Sequence, residues 1–99
     1  MAIRVAPQAE EELDEIWVYV ATESGGTDIA DRLIGSIADH FLLLSKHPRL
    51  GRRRDEDLRP GLRSLSAGSY VVIYRIEGRD VLILHVAHGR RDIQALSRL

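Results

Sequence analysis

Arginine carries most of the chemistry on offer in this sequence. Of the fourteen basic residues thirteen are arginine, and only Lys46 is lysine. Arg49, Arg52, Arg53, Arg54, Arg59 and Arg63 crowd one stretch, diluted by Asp55, Glu56 and Asp57; Arg90, Arg91 and Arg98 form a second group. A planar guanidinium binds carboxylate or phosphate bidentately, so such clusters suit an acidic partner. A compositional bias toward arginine is the plainer alternative. The first cluster reads equally as a solvated loop or as a contact surface. The second follows directly on the apolar run Val81–Ala87. A central strand fixes where the residues just past its end project, so recognition is favoured there. Against that stands a pairing of Arg90 with Asp92 that only anchors the tail. No aromatic residue interleaves with either cluster, which removes the basis for stacking on single-stranded bases.

Other constellations offer less. Glu10, Glu11, Glu12, Asp14 and Glu15 follow one another round a helix and read as solvated charge, not as a paired acid and base. His85 and His88 stand three apart on a strand, which directs them to opposite faces and denies them a shared metal ion. His88 reads either as a structural hydrogen-bonding residue or as part of a recognition surface. No serine lies in a nucleophile elbow, and Gly25-Gly26 lacks the lysine and preceding strand of a phosphate loop. With no cysteine, disulfides, thiol nucleophiles and thiolate metal sites are excluded. No cofactor and no metal is expected.

The composition is that of a folded protein. Apolar residues make up 44% and charged residues 29% of 99 positions, a balance that excludes disorder and leaves room for one domain spanning residues 1–99. No apolar run is long enough to span a membrane, and the N-terminus has no signal-peptide core, so a cytoplasmic chain is expected. The net charge of −1 hides an asymmetry: residues 1–45 are net −7 and residues 46–99 net +6.

The elements that must position these groups follow from periodicity. Ala2–Ala6 alternates as a short strand. Pro7 suits a helix start, and Ala9, Leu13, Ile16, Trp17 and Val20 make one stripe of a helix that Gly25-Gly26 ends. Thr27 can cap a second helix, with Ile29, Leu33, Ile37, Phe41 and Leu44 along it and Ile34 and Ala38 beside them. Pro48 stops that run. Leu13, Ile16, Trp17, Val20, Leu33, Ile37, Phe41 and Leu44 are the expected layer against the sheet. Arg49–Pro60 has no apolar period and reads as a loop. Gly61–Ala67, Tyr70–Ile76 and Val81–Ala87 read as strands, the last two apolar on both faces and therefore central. Ser66–Ser69 and Glu77–Asp80 are turns, and Arg90–Leu99 a tail with room for a helical turn. The fold class is α+β, in the order β-α-α-β-β-β. A helical hairpin packs on a small, mainly antiparallel curved sheet.

Five pieces in this order resemble the bacterial RelE/ParE toxin superfamily, the toxin halves of type II toxin–antitoxin pairs. They are Ala9, Leu13, Asp14, Ile16 and Trp17 in the first helix; His47-Pro48-Arg49-Leu50-Gly51-Arg52; Leu58-Arg59-Pro60-Gly61-Leu62-Arg63; Tyr70-Val71-Val72-Ile73-Tyr74; and Val86-Ala87-His88-Gly89-Arg90-Arg91-Asp92. The resemblance spans nearly the whole chain and implies the fold already reached.

The superfamily divides by target. RelE-like members cleave mRNA on the ribosome, whereas ParE-like members bind and poison DNA gyrase. The resembling ribonucleases carry an arginine where this chain has Val71 and a tyrosine where it has Leu96. Neither valine nor leucine can move a proton or stabilise phosphorane charge. The resemblance therefore implies a ParE-like, non-enzymatic gyrase inhibitor, of the kind tied to plasmid stabilisation, neutralised by a ParD-like antitoxin in a heteromeric complex. The alternatives are a RelE-like ribonuclease with a rearranged site and a non-toxic member that only binds its antitoxin. Target recognition is expected at Arg90 and Arg91 with His88 and Arg63 in support. The antitoxin tail is expected beside Ile34 and Ala38, its carboxylates meeting Arg90 and Arg91. No membrane is expected as a partner, nor nucleic acid bound by the chain alone.

Overall fold

Extended backbone at Ala6 (φ −65°, ψ 149°) leads into Pro7, where the first helix begins. The structure is a computed structural model describing residues 1–92 of the chain. Strand β1 (Ala2–Val5) precedes helix α1 (Pro7–Ser24) and helix α2 (Asp28–Lys46). Gly25 closes α1 in the left-handed region (φ 73°), and its N–H bonds to the Ala21 carbonyl. Thr27 stands at the N-cap of α2, as expected, but its hydroxyl makes no cap bond; its carbonyl accepts the Asp31 N–H at 2.8 Å. Strands β2 (Arg52–Arg53), β3 (Arg63–Ala67), β4 (Tyr70–Glu77) and β5 (Asp80–His88) follow.

The five strands form one sheet in the order β1-β5-β4-β3-β2. β1 runs parallel to β5, and every other pair is antiparallel. The expected order holds, with the two-residue β2 added inside the stretch read as a loop. The apolar runs β4 and β5 are central, as their β-branched, apolar sequences predict. Their register slips once: Tyr74 pairs with Ile83 but Ile73 with His85, leaving Leu84 as the extra residue of a bulge.

The two helices lie on one face. Ile37, Phe41 and Leu44 of α2 are buried with Val72, Tyr74, Val81, Ile83 and Val86 of the sheet. The rest of the expected layer is less covered. Leu13, Ile16 and Leu33 are half-buried against this core. Trp17 and Val20 are also half-buried, and the Trp17 indole N–H donates to Asp31 Oδ1 at 2.8 Å. Trp17 therefore ties the two helices together instead of filling the sheet core. A residue late in α1 lies over α2, because the Gly25 turn folds the helices back on each other. No described helix is long and apolar enough to cross a membrane.

Candidate functional site

The second arginine group sits on a closed turn. Beyond β5 the Asp92 carboxylate accepts the His88 N–H at 3.0 Å, and the Asp92 N–H donates to the His88 carbonyl at 3.0 Å. His88 Nδ1 accepts the backbone N–H groups of Arg90 and Arg91, each at 3.3 Å. The His88 ring meets Tyr70 edge-on, with centroids 5.5 Å apart. Gly89 donates to the Ser69 carbonyl at 2.9 Å, which ties the turn to the neighbouring hairpin. His88 is thus the structural bracket of the turn, and both arginines are carried on a fixed backbone with exposed side chains. The Arg91 guanidinium stacks over the Tyr19 ring at 5.5 Å. Asp92 is spent on backbone, so it does not hold Arg90 through an ion pair.

Two expected neighbours fall elsewhere. Arg63 begins β3 opposite Tyr74, whereas His88 lies opposite Tyr70. Four strand residues separate those ends, about 13 Å. Arg63 Nη1 donates to the carbonyls of Gly51 at 2.9 Å and Arg49 at 3.3 Å, so it works as a clamp on the 49–51 loop. Val71 is half-buried on β4, in a place where a Cβ on Gly89 would stand 3.3 Å from its Cγ2. Leu96, the other position compared with the ribonucleases, lies outside the described residues. Ile34 is half-buried against the core, and Ala38 is exposed on α2.

The first arginine group is partly paired from within. Arg53 pairs with Asp55 at 2.7 Å, Arg54 with Asp57 at 2.5 Å, and Arg54 Nη1 also reaches Ser64 Oγ at 3.0 Å. The Gly61 N–H and then Arg53 hold the Asp55 carboxyl below its ordinary range, and Arg54 does the same for Asp57. Arg75 and Arg4 likewise lower Glu77. The stretch read as a loop is held by these internal ion pairs. Its opposite charges were visible in the sequence, but not which arginine would meet which acid.

Glu12 was the acid that the sequence misplaced. It is largely covered, not solvated, with a side-chain exposure of 18%. Its Oε1 accepts the Val86 N–H at 3.0 Å and its Oε2 lies 3.2 Å from His85 Nδ1. β1 ends at Val5, opposite Ile83, so the outer edge of β5 is bare beyond that point. Glu12 and Asp92 occupy that edge, each accepting an N–H that a neighbouring strand would otherwise take. Nothing in the acidic run distinguishes Glu12 from Glu11. Glu12→Ala should orphan the Val86 N–H and lower stability by about 1–3 kcal/mol, whereas Glu11→Ala, at an exposed site, should stay within about 0.5 kcal/mol. Urea melts of the two variants check this; equal losses would mean that Glu12 does not seal the edge.

Among the described residues no group of three His, Asp or Glu side chains is placed to hold a metal. What the fold presents is a bracketed arginine turn at one end of its central strand and a helical hairpin across one face. The family model of the ParE toxin of type II toxin–antitoxin systems matches residues 3–93. Toxin ParE3 of Caulobacter vibrioides is 41% identical over 93 residues, covering 94% of this chain and 90% of that protein. Toxin ParE1 of Mycobacterium tuberculosis is 34% identical over 90 residues, 90% of each chain. A chain of the chromosomal ParDE system from P. aeruginosa superposes with a TM-score of 0.78 at 21% identity, covering 89% of this chain and 95% of that one, and shares its fold. With the fold, the length and the ordered sequence pieces all in agreement, the chain belongs to the ParE toxin family of type II toxin–antitoxin systems, within the RelE/ParE superfamily.

Proposed function

We propose that this chain is a toxin that inhibits DNA gyrase by binding it, without catalysis, in the cytoplasm, and that a cognate antitoxin keeps it inactive. The observation that carries the reading is the His88–Asp92 turn, which holds the Arg90 and Arg91 backbone in place while their side chains stay exposed. Little further ordering is then needed when an acidic surface of the target docks there. Binding requires no proton transfer, which agrees with valine at position 71. His88 supports the site through the backbone it brackets. Arg63 contributes only indirectly, through the loop it clamps. The antitoxin covers the Ile34–Ala38 side of α2.

Arg90→Ala with Arg91→Ala tests the reading. Truncating two guanidiniums at a contact should weaken inhibition of gyrase supercoiling at least about 30-fold, from a loss of about 2 kcal/mol or more. The melting temperature should barely move, because the stacking of Arg91 on Tyr19 contributes only about 0.5–1 kcal/mol at an exposed site. A folded double variant that still inhibits fully would reject the site. Codon-specific cuts in mRNA on purified ribosomes would instead support the ribonuclease alternative.

A further inference from the structure

Arg91 shares a cleft with three carboxylates, and its guanidinium pairs with none of them. The cleft, of 380 Å³, lies between α1 and the arginine turn, and Glu12, Glu15 and Asp92 line it with Arg91. An arginine so placed gains a charge-assisted hydrogen bond by closing on an acid. Two of the three acids are already spent. Glu12 accepts the Val86 N–H at 3.0 Å, and Asp92 the His88 N–H at 3.0 Å. Glu15 is exposed and has no partner among the described residues, so it is the acid open to Arg91. The guanidinium instead lies over the face of Tyr19, its carbon 5.5 Å from the ring centroid.

Tyr19 stands four residues after Glu15, one turn further along the same face of α1. It is 51% exposed, and its hydroxyl has no hydrogen-bond partner among the described residues. A ring so exposed adds little to the core. As a platform it has a use. The ring quadrupole attracts the guanidinium, while the N–H groups along the guanidinium edge stay open to a bidentate carboxylate. Folded onto Glu15 instead, the same guanidinium would have those N–H groups occupied and its charge cancelled.

We propose that Tyr19 is a positioning residue of the target site: its ring keeps Arg91 off Glu15 and presents the guanidinium edge to a carboxylate of the target. The His88–Asp92 turn fixes the backbone of both arginines. The platform orders the side chain of Arg91 as well, so Arg91 loses less rotamer freedom on docking than Arg90 and is the stronger contact. This inference rests on the reading of the turn as the target contact.

The experiment measures inhibition of gyrase supercoiling by the full chain and its variants, with the melting temperature of each. Tyr19→Leu should weaken inhibition about tenfold at a nearly unchanged melting temperature. Tyr19→Phe keeps the platform and should stay within about twofold of the parent. Glu15→Gln in the Tyr19→Leu chain should recover most of the loss, because the competing carboxylate is gone. In an Arg91→Ala chain, Tyr19→Leu should add less than about twofold. The free chain gives a readout that needs no gyrase. The Arg91 Nε–Hε NMR resonance should move in Tyr19→Leu but not in Tyr19→Phe, and should respond to Glu15→Gln only in the Tyr19→Leu chain. Full inhibition by a folded Tyr19→Leu chain would overturn the proposal. So would a loss that persists in the Arg91→Ala chain or ignores Glu15→Gln, since Tyr19 would then touch the target itself. If Arg90→Ala with Arg91→Ala also inhibits fully, the target site falls and this inference with it; if only the arginine variant is impaired, this inference alone fails.

Discussion

Gly51→Ala should destabilise the protein by about 3–5 kcal/mol, a loss out of proportion to a single methyl group. Gly51 is buried, and its backbone is not in a conformation reserved for glycine. The reason is proximity. A Cβ there would overlap the Tyr74 hydroxyl and stand 2.6 Å from its ring Cε1 and 2.8 Å from the Ser64 carbonyl oxygen. Neither neighbour can yield. Tyr74 is fully buried in the centre of the sheet, its hydroxyl kept protonated by burial, which raises its pKa. Ser64 is backbone of β3. The loop must therefore lift, which breaks the Gly51–Tyr74 bond and the Arg63 clamp together. Overpacking of about 1–3 kcal/mol adds to about 1–3 kcal/mol for polar groups left buried without partners. Urea melts measure the loss. The two positions should also couple: in a Tyr74→Phe background, where the overlapping oxygen is gone, the penalty of Gly51→Ala should shrink. A loss under about 1 kcal/mol would mean that the loop is not pinned as described.

Phe41→Ala should cost about 3–5 kcal/mol, as expected for truncating a buried aromatic ring. Phe41 is 9% exposed and packs in the cluster formed with Tyr70, Val72 and Val86. Trp17→Ala, though it removes a larger side chain, should cost only about 2 kcal/mol. Trp17 is half-buried between the helices, and its one polar contact, Asp31, is itself exposed. Water can replace that hydrogen bond, so only part of the apolar area counts. The order of the two losses, read from denaturant midpoints at equal slope, decides the matter. If Trp17→Ala were the more damaging, the indole would belong to the sheet core after all.

From the sequence alone, Trp17 and Phe41 are equivalent, because both lie on apolar stripes at helical spacing. Periodicity tells which side of a helix is apolar. It cannot tell whether that side meets a sheet or another helix. Much of the remaining fold was legible for local reasons. Pro7, the Gly25 turn and Pro48 bound the two helices through the φ and ψ each can adopt. Runs rich in β-branched and apolar residues, Tyr70–Ile76 and Val81–Ala87, were legible as strands, and their apolar content favoured the centre of the sheet. The two-residue β2 escaped notice because no periodicity can register in so short a run.

The sequence determined the element order, the central strands and, through its ordered pieces, the family. It also placed Arg90 and Arg91 just past the end of a central strand. The tertiary structure alone decided what the polar side chains do. Within the first arginine cluster, Arg53 and Arg54 pair with Asp55 and Asp57, whereas Arg63 clamps a loop twelve residues before it. Glu12, more than seventy residues from Val86, completes the edge of β5. A strand or helix is announced by its neighbours in the chain. The partner of a carboxylate or guanidinium depends on which edge and which carbonyl the folded chain leaves open within about 3 Å, and that exists only once β1 has stopped short beside β5.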